Sequence, residues 1–247
     1  MRFPLQEKIS TYLKLGELIF FPSVCEFCSR LLELPDERII CRSCLKELKP
    51  RITSFCLCCG KFFEDSGEPH FCRQCVLQRP YFAVHRSCGP YFGRLKDIII
   101  LFKYRGYRVL GKELATFALR SLGREECLWW GVDSIIPVPL FPKKQKKRGF
   151  NQAAVLAEEL AKQKDIELIE DHLVKVKKTP PQTSLEASDR RKNLKGAFEV
   201  VHDLGVKGKI VLLVDDVYTT GSTLQECSLA LLKAGALEVR AITIAMA

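Results

Sequence analysis

Near the C-terminus, hydrophobic positions fall in runs and not in alternation. Ile210 to Val214 is uninterrupted apolar sequence, the pattern of a strand buried on both faces of a parallel sheet. Asp215 and Asp216 end the run. After a polar turn, Leu224, Cys227 and Leu231 recur on one face of a helix predicted from about Thr223 to Ala234, with Gly235 as its stop. Val239 to Ala245 resumes a strand. This strand–loop–helix–strand crossover puts polar chemistry at the carboxyl end of a strand, where open α/β sheets bind ligands. Upstream, Ser134 to Leu140 reads as an earlier strand, and Asn151 opens a helix that packs Ala154, Ala157 and Ala161. His172 to Val176 is the next strand. From Lys177 to Ala197, prolines and polar residues predict a long mobile loop.

No uncharged apolar run approaches the roughly 20 residues of a membrane-spanning helix. Glu7, Lys8, Lys14 and Glu17 interrupt the first 21 residues, which removes the order of a signal peptide. A cytoplasmic location is expected.

Cysteine changes the picture. Ten of the twelve lie in the first 90 residues, leaving only Cys127 and Cys227 beyond. A reducing compartment keeps thiols free, so disulfides do not account for them. The shift in composition predicts an N-terminal module over 1–80 and a second domain over 81–247. Cys25-Glu-Phe-Cys28 and Cys41-Arg-Ser-Cys44 form one pair of knuckles with twelve residues between them. Cys56 to Cys59 and Cys72-Arg-Gln-Cys75 form another with the same gap. Four thiolates suit tetrahedral zinc and leave no open position, so two structural ions are expected. Sequential pairing is the simpler arrangement and cross-bracing the alternative. Cys58 competes with Cys56 as a ligand, His70 reads as a turn residue, and Cys88 as a buried thiol. Arg42, Lys46, Lys49 and Arg51 read as solvated charges, with nucleic-acid contact as their functional alternative.

The net charge is +10, from 39 basic and 29 acidic residues. In the second domain the excess sits in two segments, Lys143 to Arg148 and Asp189 to Lys195, which points to local anion sites. Between the acidic pair and the last helix, Thr219, Thr220, Ser222 and Thr223 supply hydroxyls, and Gly221 admits close approach. With the amides that open a helix, they make a phosphate cradle. The carboxylates beside it would repel that phosphate, so they suit neighbouring sugar hydroxyls with a magnesium ion. His85, His172 and His202 carry no visible chemistry.

Val211 to Thr223 closely resembles the phosphoribosyl-pyrophosphate signature of type I phosphoribosyltransferases. The resemblance implies an α/β fold with a mainly parallel sheet, behind an N-terminal double zinc ribbon. It puts the 5′-phosphate on Thr219, Thr220, Gly221, Ser222 and Thr223, and the ribose hydroxyls on Asp215 and Asp216. By the same analogy Pro142 to Phe150 is the pyrophosphate loop, with Lys143, Lys144, Lys147 and Arg148 stabilising a departing diphosphate, and Arg190 and Arg191 sit on the flexible catalytic loop.

Together with the knuckles, Leu101-Phe-Lys103-Tyr104-Arg105-Gly106, Pro137-Val-Pro139, Arg148-Gly-Phe-Asn-Gln152 and Arg190-Arg191-Lys-Asn193 look like the ComF family over nearly the whole chain. That resemblance implies competence and the handling of incoming single-stranded DNA, with DNA-uptake proteins as partners. Two readings follow. One is an enzyme that takes magnesium phosphoribosyl pyrophosphate and transfers its sugar to an unidentified acceptor. The other is a non-catalytic single-stranded-DNA binder that uses the basic loops and ribbon, with Tyr104 and Phe150 stacking on bases. Glutamine amidotransfer is not expected, because residue 2 is Arg2 and the first 90 residues are committed to metal.

Overall fold

A computed structural model describes residues 23–34, 37–50, 53–64, 67–177 and 194–247. Among these, two compact units form, dividing between Lys49 and Pro50. The division falls earlier than the expected boundary near residue 80. Its physical cause is burial: Cys56, Cys58, Cys59 and Cys75 share one core with Phe82, Ile136, Leu213 and Ala241. The second knuckle pair thus folds with the α/β domain, while the first belongs to the other unit.

The first unit holds a short helix α1 (Arg42–Lys46) behind Cys41. The second unit opens with α2 (Arg73–Leu77), then β1 (Val84–Ser87), α3 (Gly93–Tyr104), α4 (Leu110–Leu122) and α5 (Glu126–Trp129). There follow β2 (Ser134–Pro137), α6 (Pro142–Arg148), α7 (Gln152–Lys164) and β3 (Glu167–Leu168). The chain finishes with β4 (Leu173–Lys175), β5 (Phe198–Val200), β6 (Ile210–Tyr218), α8 (Ser222–Lys233) and β7 (Glu238–Met246). Five strands form one parallel sheet in the order β1-β7-β6-β2-β3. β4 and β5 pair antiparallel as a separate ribbon, so the expected strand at His172 to Val176 lies outside the main sheet.

The central strands are buried as their apolar runs predict. Val211, Leu212 and Leu213 have no exposed surface, and each such side chain contributes about 1.5–3 kcal/mol. The acidic pair does not end β6. The strand runs on through Asp215 and Asp216 to Tyr218, paired with β7 as far as Met246. On its other side β2 stops at Pro137 opposite Val214. The two carboxylates therefore stand just past the end of the neighbouring strand.

Asn151 caps α7: its side chain accepts from the Ala153 amide at 3.1 Å and donates to the Val138 carbonyl at 3.0 Å. This ties the end of β2 to the helix. Ala153, Ala157 and Ala161 are buried and Ala154 only partly so, because the buried face runs through Val155, Leu156 and Leu160. The segment expected as a pyrophosphate loop is helical, α6. Proline near its N-terminus and Gly149 in the left-handed region (φ 87°) at its end account for that.

Candidate functional site

The chain leaves β2 through α7 toward β3, and leaves β6 through α8 toward β7 on the opposite side. Connections diverging from adjacent strands open a crevice at their carboxyl ends, the switch point where such sheets bind ligands. Asp215 and Asp216 stand there, flanked by the turn after β6.

Lys103, at the end of α3, reaches this crevice. Its Nζ lies 2.7 Å from Asp216 Oδ1, with both side chains 14% exposed. Burial disfavours the Lys103 ammonium, yet the Asp216 carboxylate, and behind it Asp215, hold its pKa above the ordinary lysine value. Asp215 is the electrostatic outlier. Burial, then the adjacent Asp216, raise its pKa to about 7. Its Oδ1 accepts the Asp216 amide at 2.8 Å. The charge of Lys144 is felt at both carboxylates, and that of Lys175 at Asp215. Burial and Arg148 pull Lys144 below its normal pKa, and burial and Lys144 do the same to Lys175. Lysines from three separate elements thus act on the acidic pair, Lys103 by direct contact and the other two through their charge.

The basic helix α6 divides by its period of 100° per residue. Lys144 and Arg148, one turn apart, share the face toward the carboxylates. Arg148 donates to Gln152 Oε1 at 2.7 Å and its guanidinium stands 5.5 Å from the Tyr104 ring centroid. Lys143, Lys146 and Lys147 occupy the rest of the helix, and all four lysines are exposed. Phe150 packs on Phe102, ring centroids 5.5 Å apart. Arg190 and Arg191 lie outside the described residues.

The turn expected as a phosphate cradle leads directly into α8. Gly221 takes the left-handed conformation (φ 74°) and caps α8, its carbonyl accepting from Gln225 at 2.9 Å. Thr220 and Ser222 hydroxyls sit 2.8 Å apart, and Ser222 is the first residue of the helix. Thr219 is exposed and Thr223 partly buried.

Both cysteine sets come together sequentially: Cys25, Cys28, Cys41 and Cys44 in one, and Cys56, Cys59, Cys72 and Cys75 in the other. Within each set the sulfurs lie within 4.8 Å of one another. Cys28 and Cys41 sulfurs are 3.7 Å apart, Cys59 and Cys72 sulfurs 3.8 Å. A zinc tetrahedron with bonds near 2.3 Å requires an edge of about 3.8 Å, so the donor sets fit the ion. Backbone amides point at the thiolates, Cys41 N to Cys25 Sγ at 3.4 Å and Cys72 N to Cys56 Sγ at 3.3 Å. Cys58 stays out of the set; its sulfur faces the Phe82 carbonyl at 3.9 Å. Elemental analysis of protein purified without chelators is expected to give two zinc ions per chain, and a value near zero would refute the sets.

Lys103, Lys175 and Gln152 were not singled out for chemistry by the sequence. Lys103 carried a usable signal, a lone cation closing the apolar stretch Ile98 to Phe102. Gln152 is 1% exposed, with its Nε2 buried and unpartnered among the described residues.

Among the described residues no helix is long and apolar enough to cross a membrane. Residues 146–246 match the phosphoribosyl transferase domain family and residues 18–76 the double zinc ribbon domain family. Competence protein F of Haemophilus influenzae is 34% identical over 225 residues, covering 90% of this chain and 96% of that protein. DNA utilization protein YhgH of Salmonella typhi is 30% identical over 226 residues, with 90% and 96% covered. Competence protein ComFC of Bacillus subtilis is 28% identical over 215 residues, with 81% and 80% covered. With two cysteine sets that fit a double zinc ribbon, a parallel phosphoribosyltransferase sheet behind them, and relatives matched along nearly their whole length, this chain belongs to the ComF family.

Proposed function

We propose that the crevice between β2 and β6 binds phosphoribosyl pyrophosphate as its magnesium complex, and that the protein acts in the handling of incoming DNA. The observation that carries the reading is the half-buried acidic pair beside a helix-opening hydroxyl loop, with Lys103 paired to Asp216 and the charges of Lys144 and Lys175 acting on the pair. The loop from Thr219 to Thr223 holds the 5′-phosphate on amides and hydroxyls. Asp215 and Asp216 accept the ribose hydroxyls, which neither a bare phosphate site nor a DNA-backbone site needs. Lys144 and Arg148 meet the diphosphate. In a transfer reaction positive charge develops at the anomeric carbon as diphosphate leaves, and fixed cations at the leaving group are the larger contribution the chain supplies. The magnesium comes with the substrate's own phosphates, and the two carboxylates are oxygen donors of the kind it takes. The acceptor is not named by any residue.

A DNA role draws on a different observation, the exposed Lys143, Lys146 and Lys147 along α6, together with the competence and DNA-utilization names of the relatives. Phosphates on those lysines would be held by charge alone, so binding should fall steeply with salt. Calorimetric titration with magnesium phosphoribosyl pyrophosphate, repeated with a labelled single-stranded oligonucleotide present, tests both readings. Saturable heat is expected, with the oligonucleotide retained on those lysines. Absence of heat would end the sugar reading, and displacement of the oligonucleotide by the sugar would end the division of α6 between the two ligands.

A further inference from the structure

His85 connects the second cysteine set to the phosphate loop. It lies in β1 with no exposed surface. Its Nδ1 is 2.8 Å from the Cys59 carbonyl, which only accepts, so Nδ1 donates there. In the neutral ring Nε2 then accepts from the Thr243 hydroxyl at 2.9 Å. The backbone amide of His85 donates to the Cys58 carbonyl at 2.7 Å. Both carbonyls belong to the third knuckle, one of them from a residue of the metal set. The imidazole face lies on the Tyr218 ring, centroids 4.4 Å apart and planes 20° from parallel. Tyr218 closes β6, two residues beyond Asp216, and its phenol turns back against the loop. A Cβ placed on Gly221 would sit 2.3 Å from Tyr218 Oη. The glycine thus permits a close approach that no other residue allows, and the phenol sets the height of the turn.

We propose that His85 and Tyr218 are positioning residues that couple the second metal set to the phosphate loop, so that zinc and a phosphorylated sugar bind with positive linkage. The proposal rests on the phosphate-loop reading above. With a metal on the set, the Cys59 carbonyl has one place to be. That place fixes the ring tautomer and orientation, the ring face fixes the phenol, and the phenol supports Gly221 where α8 opens. A fully satisfied buried polar chain of this kind is rigid. Linkage requires the reverse effect too: a sugar phosphate seated on the loop must tighten the hold on the metal. The first cysteine set belongs to the other unit and serves as the internal control.

The test measures zinc release from the full-length protein to a chromogenic chelator, with ribose 5-phosphate as probe. Two release phases are expected, and saturating ribose 5-phosphate should slow one of them about fivefold or more while leaving the other unchanged. His85→Asn retains an amide donor for the Cys59 carbonyl but loses the stacking face. Tyr218→Leu breaks the stack from the partly exposed side and covers the case in which the buried change does not fold. Each variant should keep two zinc ions, bind ribose 5-phosphate about tenfold more weakly, and show no slowing even at saturation. Slowing equal to that of the unaltered protein would mean that the sugar protects zinc only by stabilising the whole fold, and would overturn the proposal. So would zinc release that ignores a sugar phosphate shown to bind. If ribose 5-phosphate and magnesium phosphoribosyl pyrophosphate both fail to bind the unaltered protein, the phosphate-loop reading itself falls, a result read independently of the release phases.

Discussion

Cys75→Ser is expected to unfold the phosphoribosyltransferase domain, whereas Cys44→Ser should leave that domain's thermal transition intact. The two cysteines hold equivalent places in their sets, so sequence alone predicts equivalent effects. The difference comes from where each set is buried. Cys75 is 2% exposed and shares its core with Phe82, Ile136, Leu213 and Ala241, residues of or beside the central strands. Cys44 belongs to the unit that ends at Lys49. Structural zinc contributes roughly 10–16 kcal/mol to folding, while a domain's whole net stability is about 5–15 kcal/mol. Losing most of the former from inside the core therefore exceeds what the domain has in reserve. Circular dichroism melting with zinc content measured on the same samples checks this. A Cys75→Ser protein that melts cooperatively with the unaltered transition would show that the second set is peripheral to the fold.

Much of this architecture is readable from residue patterns, for identifiable reasons. A strand buried on both faces must be apolar throughout, so Ile210 to Val214 declares itself. A tetrahedral thiolate site needs paired cysteines, so both sets are visible before any fold is known. What escapes is whatever depends on residues distant in sequence. Lys103 meets Asp216 across the crevice, and Lys175 lies on a ribbon separate from the main sheet. The strand end was misjudged because charged residues usually mark solvent, whereas here the lysines around them let Asp215 and Asp216 continue β6. The division by packing differs from the one by composition for a related reason. Composition follows cysteine, but packing follows apolar contact, and Cys56 to Cys75 pack with the sheet. His85 offered no signal at all, since a single buried imidazole acquires its meaning only from the Cys59 carbonyl and the Tyr218 ring beside it.

The two neighbouring aspartates should respond to the same substitution in opposite directions. Asp215 has its pKa raised to about 7, mainly by burial and then by Asp216, against roughly 3.9 in an unfolded chain. Between those values the folded state binds more protons than the unfolded one, so this group makes stability fall as pH rises from about 4 to 7. Asp215→Asn removes that cost, and at pH 8 the variant should be more stable by about 1 kcal/mol or more, with a flatter dependence on pH. Asp216 instead balances the buried Lys103 ammonium at 2.7 Å. Asp216→Asn leaves that charge without its partner and should destabilise by about 3–5 kcal/mol, in line with broken buried pairs. Adding Lys103→Met should recover most of the loss, since the apolar side chain of similar length needs no counter-ion. Binding of magnesium phosphoribosyl pyrophosphate should weaken about 10- to 150-fold in each aspartate variant, because each lost charge-assisted hydrogen bond costs about 1.5–3 kcal/mol. In the unaltered protein its affinity should climb as pH passes about 7 and Asp215 ionises. Denaturant unfolding from pH 5 to 8, alongside calorimetry on the same variants, reads all of these at once. Equal destabilisation by the two asparagines, or affinity independent of pH, would mean that Asp215 is not the buried carboxylate that the crevice makes of it.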